Sequence, residues 1–276
     1  MANFSNEIIS GTENIKLNVR YYNDKINSDK TLIVTHGYGE HQEYYIDLAN
    51  YFINNGFAVV TYDLRAHGLS EGRRGDVADF QFFVKDLEII ITESAKKNPQ
   101  NRIYLFGHSM GGSIVLNYLL RHKNRFIEKA VITSPWLKLA FEPPVLKRFL
   151  AKTGKFLFPS LVIKGELDID HLSRDNDFKI RFEKDPLTYD KISARYYHSI
   201  VDEGLFALEN ASHLDIPVLI CHGDDDKITS FEASRKFSHD AGAEFKSFEG
   251  GYRHVIFSES DKEAIFTYIM KYLVSL

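Results

Sequence analysis

The chain is 276 residues long, 44% hydrophobic and 26% charged, with a formal net charge of -4. Such a balance describes a folded globular protein with one large core and excludes disordered, collagen-like and membrane-spanning classes. The slight acidic excess, with Lys and Arg scattered rather than clustered, offers no field for nucleic acid, which is set aside as a partner.

Residues Met1 to Glu7 hold neither a basic segment nor an apolar stretch of signal-peptide type, so a cytoplasmic location is expected. Residues 15–22 place Ile15, Leu17 and Val19 on one face with polar residues between, which reads as a half-exposed antiparallel strand at a sheet edge. Residues 31–35 are apolar on both faces, as in a strand buried between helix layers, and run into His36-Gly37-Tyr38-Gly39-Glu40-His41. Gly-rich loops at the C-terminal edge of a sheet are where α/β folds place their sites. A helix over 45–54 stops at Gly56, and a strand over 57–61 leads into the polar loop Asp63-Leu64-Arg65-Ala66-His67-Gly68-Leu69-Ser70. Phe80, Phe83, Val84, Leu87, Ile90 and Ile91 recur at helical spacing before Pro99.

Residues 103–108 form a β-prone run that feeds into Gly107-His108-Ser109-Met110-Gly111-Gly112 and then into a helix-forming segment. That strand–turn–helix context gives Gly-x-Ser-x-Gly its meaning, with the serine at the apex of a sharp turn. Residues 130–134 read as the next buried strand. From 136 to 211 the rhythm breaks, around Pro143-Pro144 and the apolar pieces 145–150 and 156–162, and the stretch reads as a helical cap inserted between two strands. The core domain is then 1–135 plus 212–276, resuming with a strand over 216–221, a helix over 231–240, a short strand over 244–248 and a closing helix over 262–276. The single cysteine, Cys221, lies in that first resumed strand and reads as a small buried hydrophobe. Alternation of this kind predicts an α/β fold with a mostly parallel central sheet and helices on both faces.

A serine hydroxyl is a weak nucleophile near neutral pH and needs a base, which in turn needs a group to fix its tautomer. The elbow motif predicts the chain order Ser, Asp, His. His254, after Gly250-Gly251 and before the apolar run 255–257, is the expected base. Among Asp224, Asp225 and Asp226, each within reach, the first acidic residue of such a turn commonly caps it and leaves a later one to orient the histidine, and Asp226 is taken for that role. The oxyanion needs two backbone donors, assigned to Met110 after the nucleophile and Tyr38 in the loop after the first buried strand. Glu40, His41 and His108 flank these loops and are assigned to substrate binding. The eleven histidines show no metal-ligand spacing, and no phosphate- or dinucleotide-cradling glycine motif is present, so neither metal nor cofactor is expected.

In order along the chain, the 36–41 loop, the Asp63–Ser70 loop, the Ser109 elbow, Asp185-Pro186-Leu187, His222-Gly223-Asp224-Asp225-Asp226 and Tyr252-Arg253-His254 resemble the monoacylglycerol lipase and lysophospholipase group of α/β-hydrolases. The resemblance implies a triad of Ser109, Asp226 and His254 with Tyr38 and Met110 at the oxyanion hole. Departures are Tyr44-Tyr45 where the family usually shows Arg-Tyr, Ala66 in place of a glycine, and Val255 in place of a common glutamate. The expectation is a serine carboxylester hydrolase that cleaves a small-molecule single-chain acyl ester, with transient membrane-surface contact through the cap. An acyltransferase or amidase using the same triad, or an inactive hydrolase-fold binding module, are the alternatives.

Overall fold

In the computed structural model, which describes residues 4–22, 28–123, 126–141, 158–165 and 167–275, the apolar runs line up as one eight-stranded sheet. In chain order the elements are β1 (Phe4–Ser10), β2 (Lys16–Tyr22), β3 (Lys30–Thr35), α1 (Ile46–Asn54), β4 (Ala58–Tyr62), α2 (Gln81–Lys97), β5 (Arg102–His108), α3 (Met110–Arg121) and β6 (Ile127–Thr133). They continue with β7 (Val162–Lys164), α4 (Asn176–Lys184), β8 (Lys191–Ser193), α5 (Ala194–Glu209), β9 (Val218–Gly223), α6 (Phe231–Ala241), β10 (Glu244–Phe248) and α7 (Lys262–Val274). The sheet order is β1-β2-β4-β3-β5-β6-β9-β10. β1, β2 and β4 pair antiparallel and every pair from β4 onward is parallel.

The period-2 geometry of the strands splits their side chains between two cores. Ile33, Val60, Leu105, Ile132 and Ile220 face one layer with Val84 and Leu87 of α2, Ile114 of α3, Ile200 of α5 and Phe237 of α6. Leu32, Val34, Val59, Phe106, Val131 and Leu219 face the other with Phe52 of α1 and Ile265 and Ile269 of α7. Cys221 sits fully buried in this second layer, where burial pushes its thiol well up from its usual range.

The expected edge strand is not at the edge. β2 is buried from Leu17 to Tyr22, and β1 pairs outside it over residues 4–10. The polar residues that alternation put on a wet face are instead paired under cover, Asn18 with Asp63, and Arg20 with Asn6 and Glu43. β1 itself alternates between exposed and half-buried residues and leaves Ile8 62% exposed, so it carries no core signal in the sequence.

Residues 136–211 connect β6 to its sheet neighbour β9. Alongside α4 and α5 they carry a two-stranded antiparallel ribbon, β7 with β8. α5 packs on α3 and sends Tyr196, Ile200 and Ala207 into the main core. The expected Pro143-Pro144 break and the apolar pieces 145–150 and 156–157 lie outside the described residues. Among the described residues, no helix is long and apolar enough to cross a membrane.

Chain order reverses at β3, with β4 on one side and β5 on the other, so the loop after β3 opens at a topological switch point. The loops after β5, β9 and β10 end at the same edge.

Candidate active site

Ser109 follows β5 directly and opens α3 with φ 53° and ψ -118°, a backbone conformation that an L-residue adopts only when its surroundings over-determine it. Those surroundings are specific. Ser109 N–H donates to Thr133 O at 2.9 Å, and Ser109 O accepts from Trp136 N–H at 3.0 Å and from Ser113 N–H at 3.1 Å. A Cβ at Gly111 would lie 2.3 Å from both the Thr35 and the His36 carbonyl oxygens, and one at Gly107 would lie 2.7 Å from Gly111 O. Glycine at these positions is what lets the turn close against β3.

His254, in the loop after β10, reaches Ser109 Oγ through Nε2 at 2.9 Å and Asp226 Oδ2 through Nδ1 at 2.7 Å. An ionised carboxylate only accepts, so Nδ1 carries the hydrogen and Nε2 faces the serine as an acceptor. Asp226 lies in the turn after β9 and is buried. Its Oδ1 accepts the amides of Ile228 at 2.7 Å and Thr229 at 3.0 Å, and its Oδ2 also accepts from His222 Nε2 and Thr229 Oγ1, both at 2.9 Å. Burial alone would raise this carboxyl, but His254 and His222 hold it well below the usual carboxylate range. Its neighbours in the turn do other things. Asp224 accepts the amides of Gly250, Gly251 and Tyr252 at 2.9–3.0 Å and so shapes the His254 loop, while Asp225 pairs with Lys227 at the surface.

Met110 is the first residue of α3, and helix-opening amides have no intrahelical acceptor. Tyr38 sits in the switch-point loop next to Gly37, where a Cβ would lie 3.1 Å from Ser109 Cβ. That loop is pinned from several directions. His36 Nε2 accepts from Leu64 N–H at 2.9 Å, which places its hydrogen on Nδ1, toward Gly37 O, and burial lowers the imidazole to about 3, so it stays neutral. Buried Glu40 accepts from Gly37 N–H and Tyr45 Oη at 2.5 Å each. His41 Nε2 lies 2.9 Å from Asp185 Oδ2, and the Tyr44 hydroxyl donates to the same oxygen. His108 is bonded through Nδ1 to Thr133 Oγ1 at 2.9 Å, its ring 4.8 Å from that of His254, and burial keeps it neutral. Glu40, His41 and His108 are thus occupied by protein partners and buttress the loops.

Sequence reasoning overlooked three residues that complete this edge. Ser134, at φ 45° after β6, donates from Oγ to His254 O at 2.8 Å. Thr229 lies against Asp226, and His222 stands four residues before Asp226 within a motif already singled out. Their signal was position, His222 and Ser134 being at or just past a strand end and Thr229 in the turn that leads from Asp226 into α6. Among the described residues, no cluster of His, Cys, Asp and Glu is arranged to hold a metal ion.

A family model described as Hydrolase_4, serine aminopeptidase, S33, matches residues 26–261. A monoacylglycerol lipase of Mycolicibacterium smegmatis is 29% identical over 249 residues, covering 88% of this chain and 88% of its own length. An uncharacterized abhydrolase domain-containing protein of Dictyostelium discoideum is 29% identical over 273 residues, 98% of this chain, and the chain spans 28% of that protein's length. The crystal structure of a soluble variant of monoglyceride lipase from Saccharomyces cerevisiae, in complex with a substrate analog, superposes with a TM-score of 0.86 at 26% identity, covering 99% of this chain and 95% of that one. With the family match spanning most of its length, the chain belongs to the Hydrolase_4 (serine aminopeptidase, S33) family, serine hydrolases of the lipase and esterase type built on the α/β-hydrolase fold.

Proposed function

We propose that this chain hydrolyses a carboxylic ester bearing a single fatty-acyl chain, of monoacylglycerol or lysophospholipid kind, through an acyl-enzyme on Ser109. The observation that carries the chemistry is the unbroken chain from Ser109 Oγ to His254 Nε2 at 2.9 Å and from His254 Nδ1 to Asp226 Oδ2 at 2.7 Å, set at the opening of a helix.

As Ser109 Oγ attacks the acyl carbonyl carbon, its proton passes to His254 Nε2. The carbonyl oxygen becomes an oxyanion, which the amides of Met110 and Tyr38 receive. Collapse breaks the ester C–O bond, and His254 returns its proton to the leaving alkoxide, releasing the alcohol. Water then repeats the attack on the acyl-serine and frees the acid. Asp226 stays ionised throughout and stabilises the imidazolium that forms twice per cycle.

The acyl class rests on two supports. One is the names of the relatives, a monoacylglycerol lipase and a monoglyceride lipase. The other is the apolar cluster around Tyr38, the residue after Gly37 in the loop that meets Ser109, where its ring lies edge-on to Trp136 and Tyr189 and 5.8 Å from Tyr196, and the Tyr196 hydroxyl reaches Met110 Sδ at 3.1 Å.

The test is intact-mass analysis after a fluorophosphonate probe, with peptide mapping, followed by a panel of esters graded by acyl length. Single labelling at Ser109, lost in Ser109→Ala and His254→Ala, is the expected result, with kcat/KM rising from short to long single-chain esters. A folded wild-type protein that takes no label at Ser109 overturns the chemistry. A flat response to acyl length overturns the substrate class alone.

A further inference from the structure

The candidate triad uses one oxygen of Asp226, and that oxygen has a second imidazole on it. His222 is the fifth residue of β9, fully buried, with Nε2 2.9 Å from the same Oδ2 that receives His254 Nδ1. Because an ionised carboxylate oxygen only accepts, Nε2 of His222 carries a hydrogen. Its other nitrogen, Nδ1, lies 2.9 Å from Ser234 Oγ on α6, a hydroxyl placed to donate to it when Nε2 carries the hydrogen. The Phe231 ring, 5.6 Å away, closes the remaining side. The result is a line of contacts running from α6 through His222, Asp226 and His254 to Ser109.

We propose that His222 is a positioning residue for the reaction, its Nε2–H fixing Asp226 Oδ2 in the plane of the His254 imidazole and sharing that oxygen's charge between two rings. The inference rests on the triad reading above and extends it by one residue. A histidine buried only to fill space would need neither donor aimed at the carboxylate nor a serine hydroxyl on its other nitrogen. Other ionisable groups near the Asp226–His254 pair are His108 at the end of β5, kept neutral by burial, Glu40 in the loop after β3, whose carboxyl burial raises, and Lys227 beside Asp226, which pairs with Asp225 at the surface. None of these donates to Asp226 Oδ2, which receives His254, His222 and the non-ionisable Thr229 hydroxyl.

The experiment compares kcat, KM and the pH profile of kcat/KM on one ester for wild type, His222→Leu, His222→Gln, Ser234→Ala and Ser109→Ala, with thermal unfolding and fluorophosphonate labelling rates on each. Removing one donor leaves more negative charge on Oδ2 facing His254. That charge favours the imidazolium, so the free base is lost at a higher pH. His222→Leu is therefore expected to lower kcat roughly 10-fold or more, the cost of a charge-assisted hydrogen bond, with KM nearly unchanged. It should also move the acid limb of kcat/KM to higher pH by about half a unit or more.

Glutamine can place an amide N–H where Nε2 stood, so His222→Gln should recover most of kcat and bring the limb back. Ser234→Ala should shift the limb the same way by less. If the leucine variant does not fold, His222→Asn, too short to reach Oδ2, takes its place against the glutamine variant.

A folded Leu or Asn variant with a wild-type acid limb overturns the proposal, whatever its stability. So does a lowered kcat that glutamine fails to restore. Retention of turnover and labelling by Ser109→Ala would instead overturn the parent reading, and the two failures are told apart in one data set.

Discussion

The strand-end loops that carry Ser109, Asp226 and His254 and the segment 167–195 that lies against them are held by different physics. The first are fixed chiefly by backbone, with Asp224 and Ser134 adding side-chain bonds to the His254 loop: parallel ladders set where each loop starts, and close approaches of main chain, such as Gly111 to Thr35 O and His36 O, narrow the turn's conformation. The second is tied down by polar side chains reaching far along the chain. Arg174 reaches buried Glu259 at 3.1 Å, Asp185 reaches His41 at 2.9 Å, and Arg195 grips Asp76 at 2.6 and 2.7 Å. Backbone hydrogen bonds then join the two halves directly, from His254 N–H to His171 O and from Val255 N–H to Leu172 O. A site made by the first kind of constraint tolerates no change in main-chain geometry, whereas one buttressed by the second loosens by degrees.

Two substitutions break the first region outright. Asp226→Asn keeps the size and several of the bonds but inverts what the side chain asks of His254, so kcat should fall by about 10⁴ with the fold retained, as steady-state kinetics and circular dichroism would show. Gly111→Ala should act on the fold. Its Cβ would press on two backbone carbonyls that cannot rotate away, and the expected cost is about 3 kcal/mol or more, read as a collapse of the denaturation midpoint. A Gly111→Ala protein with wild-type stability would mean that the elbow is far softer than its contacts imply.

The same contrast explains what was legible in the sequence. Strands such as 31–35 and 130–133 read correctly because burial on both faces demands apolar residues at every position, and the loops after them inherit their place from the strands. The need for a turn cap sets Asp224 apart, whose carboxylate accepts the amides of Gly250, Gly251 and Tyr252, but it does not divide Asp225 from Asp226; that choice rests on the spacing from Gly223 in the resembling family. β1 was not legible, since an edge strand with Ile8 exposed and polar residues alternating shows no burial. The inward Asn18 and Arg20 of β2 misled for the opposite reason, their partners Asp63 and Glu43 lying 45 and 23 residues away, beyond any periodicity. The ribbon β7–β8 has three residues per strand, too few for alternation to register.

Asp76 is the place to sharpen the second half of the comparison. It is buried, and burial would raise its carboxyl, but bidentate Arg195 and the Ser193 hydroxyl outweigh that and leave it below the usual carboxylate range. Its folded-state value is therefore depressed. The stability it contributes is present above the unfolded carboxylate value and is lost as pH falls through the folded one. Asp76→Asn should cost about 1–2 kcal/mol at pH 7, discounted for the partial exposure of Arg195. In urea titrations the gap between variant and wild type should narrow from pH 5 toward pH 3. A gap that stays constant with pH would assign the loss to packing and not to charge. Labelling of Ser109 should slow only modestly, because the backbone-held loops do not depend on this fastener.

The smallest effect belongs to Ala66, where the resembling family carries glycine. The structure puts this alanine at φ 63° after β4, with its amide donating to Glu71 O at 2.8 Å, so the turn wants a left-handed residue. Three terms then compete in Ala66→Gly. Relieving an L-residue of that conformation gains roughly 1–2 kcal/mol. Removing a buried methyl group loses about 0.8 kcal/mol, since Ala66 is 2% exposed and part of the main core. Freeing the unfolded chain loses a further ~0.5–1 kcal/mol. The sum is close to zero, so Ala66→Gly should match wild type within about 0.5 kcal/mol, or within ~2 °C in Tm for a chain of this size. That cancellation is the physical reason the position accepts alanine. A clear gain in stability would show that the loop carries strain the methyl contact does not offset, and a clear loss would show that Ala66 helps pack β4 against α2 more than its size suggests.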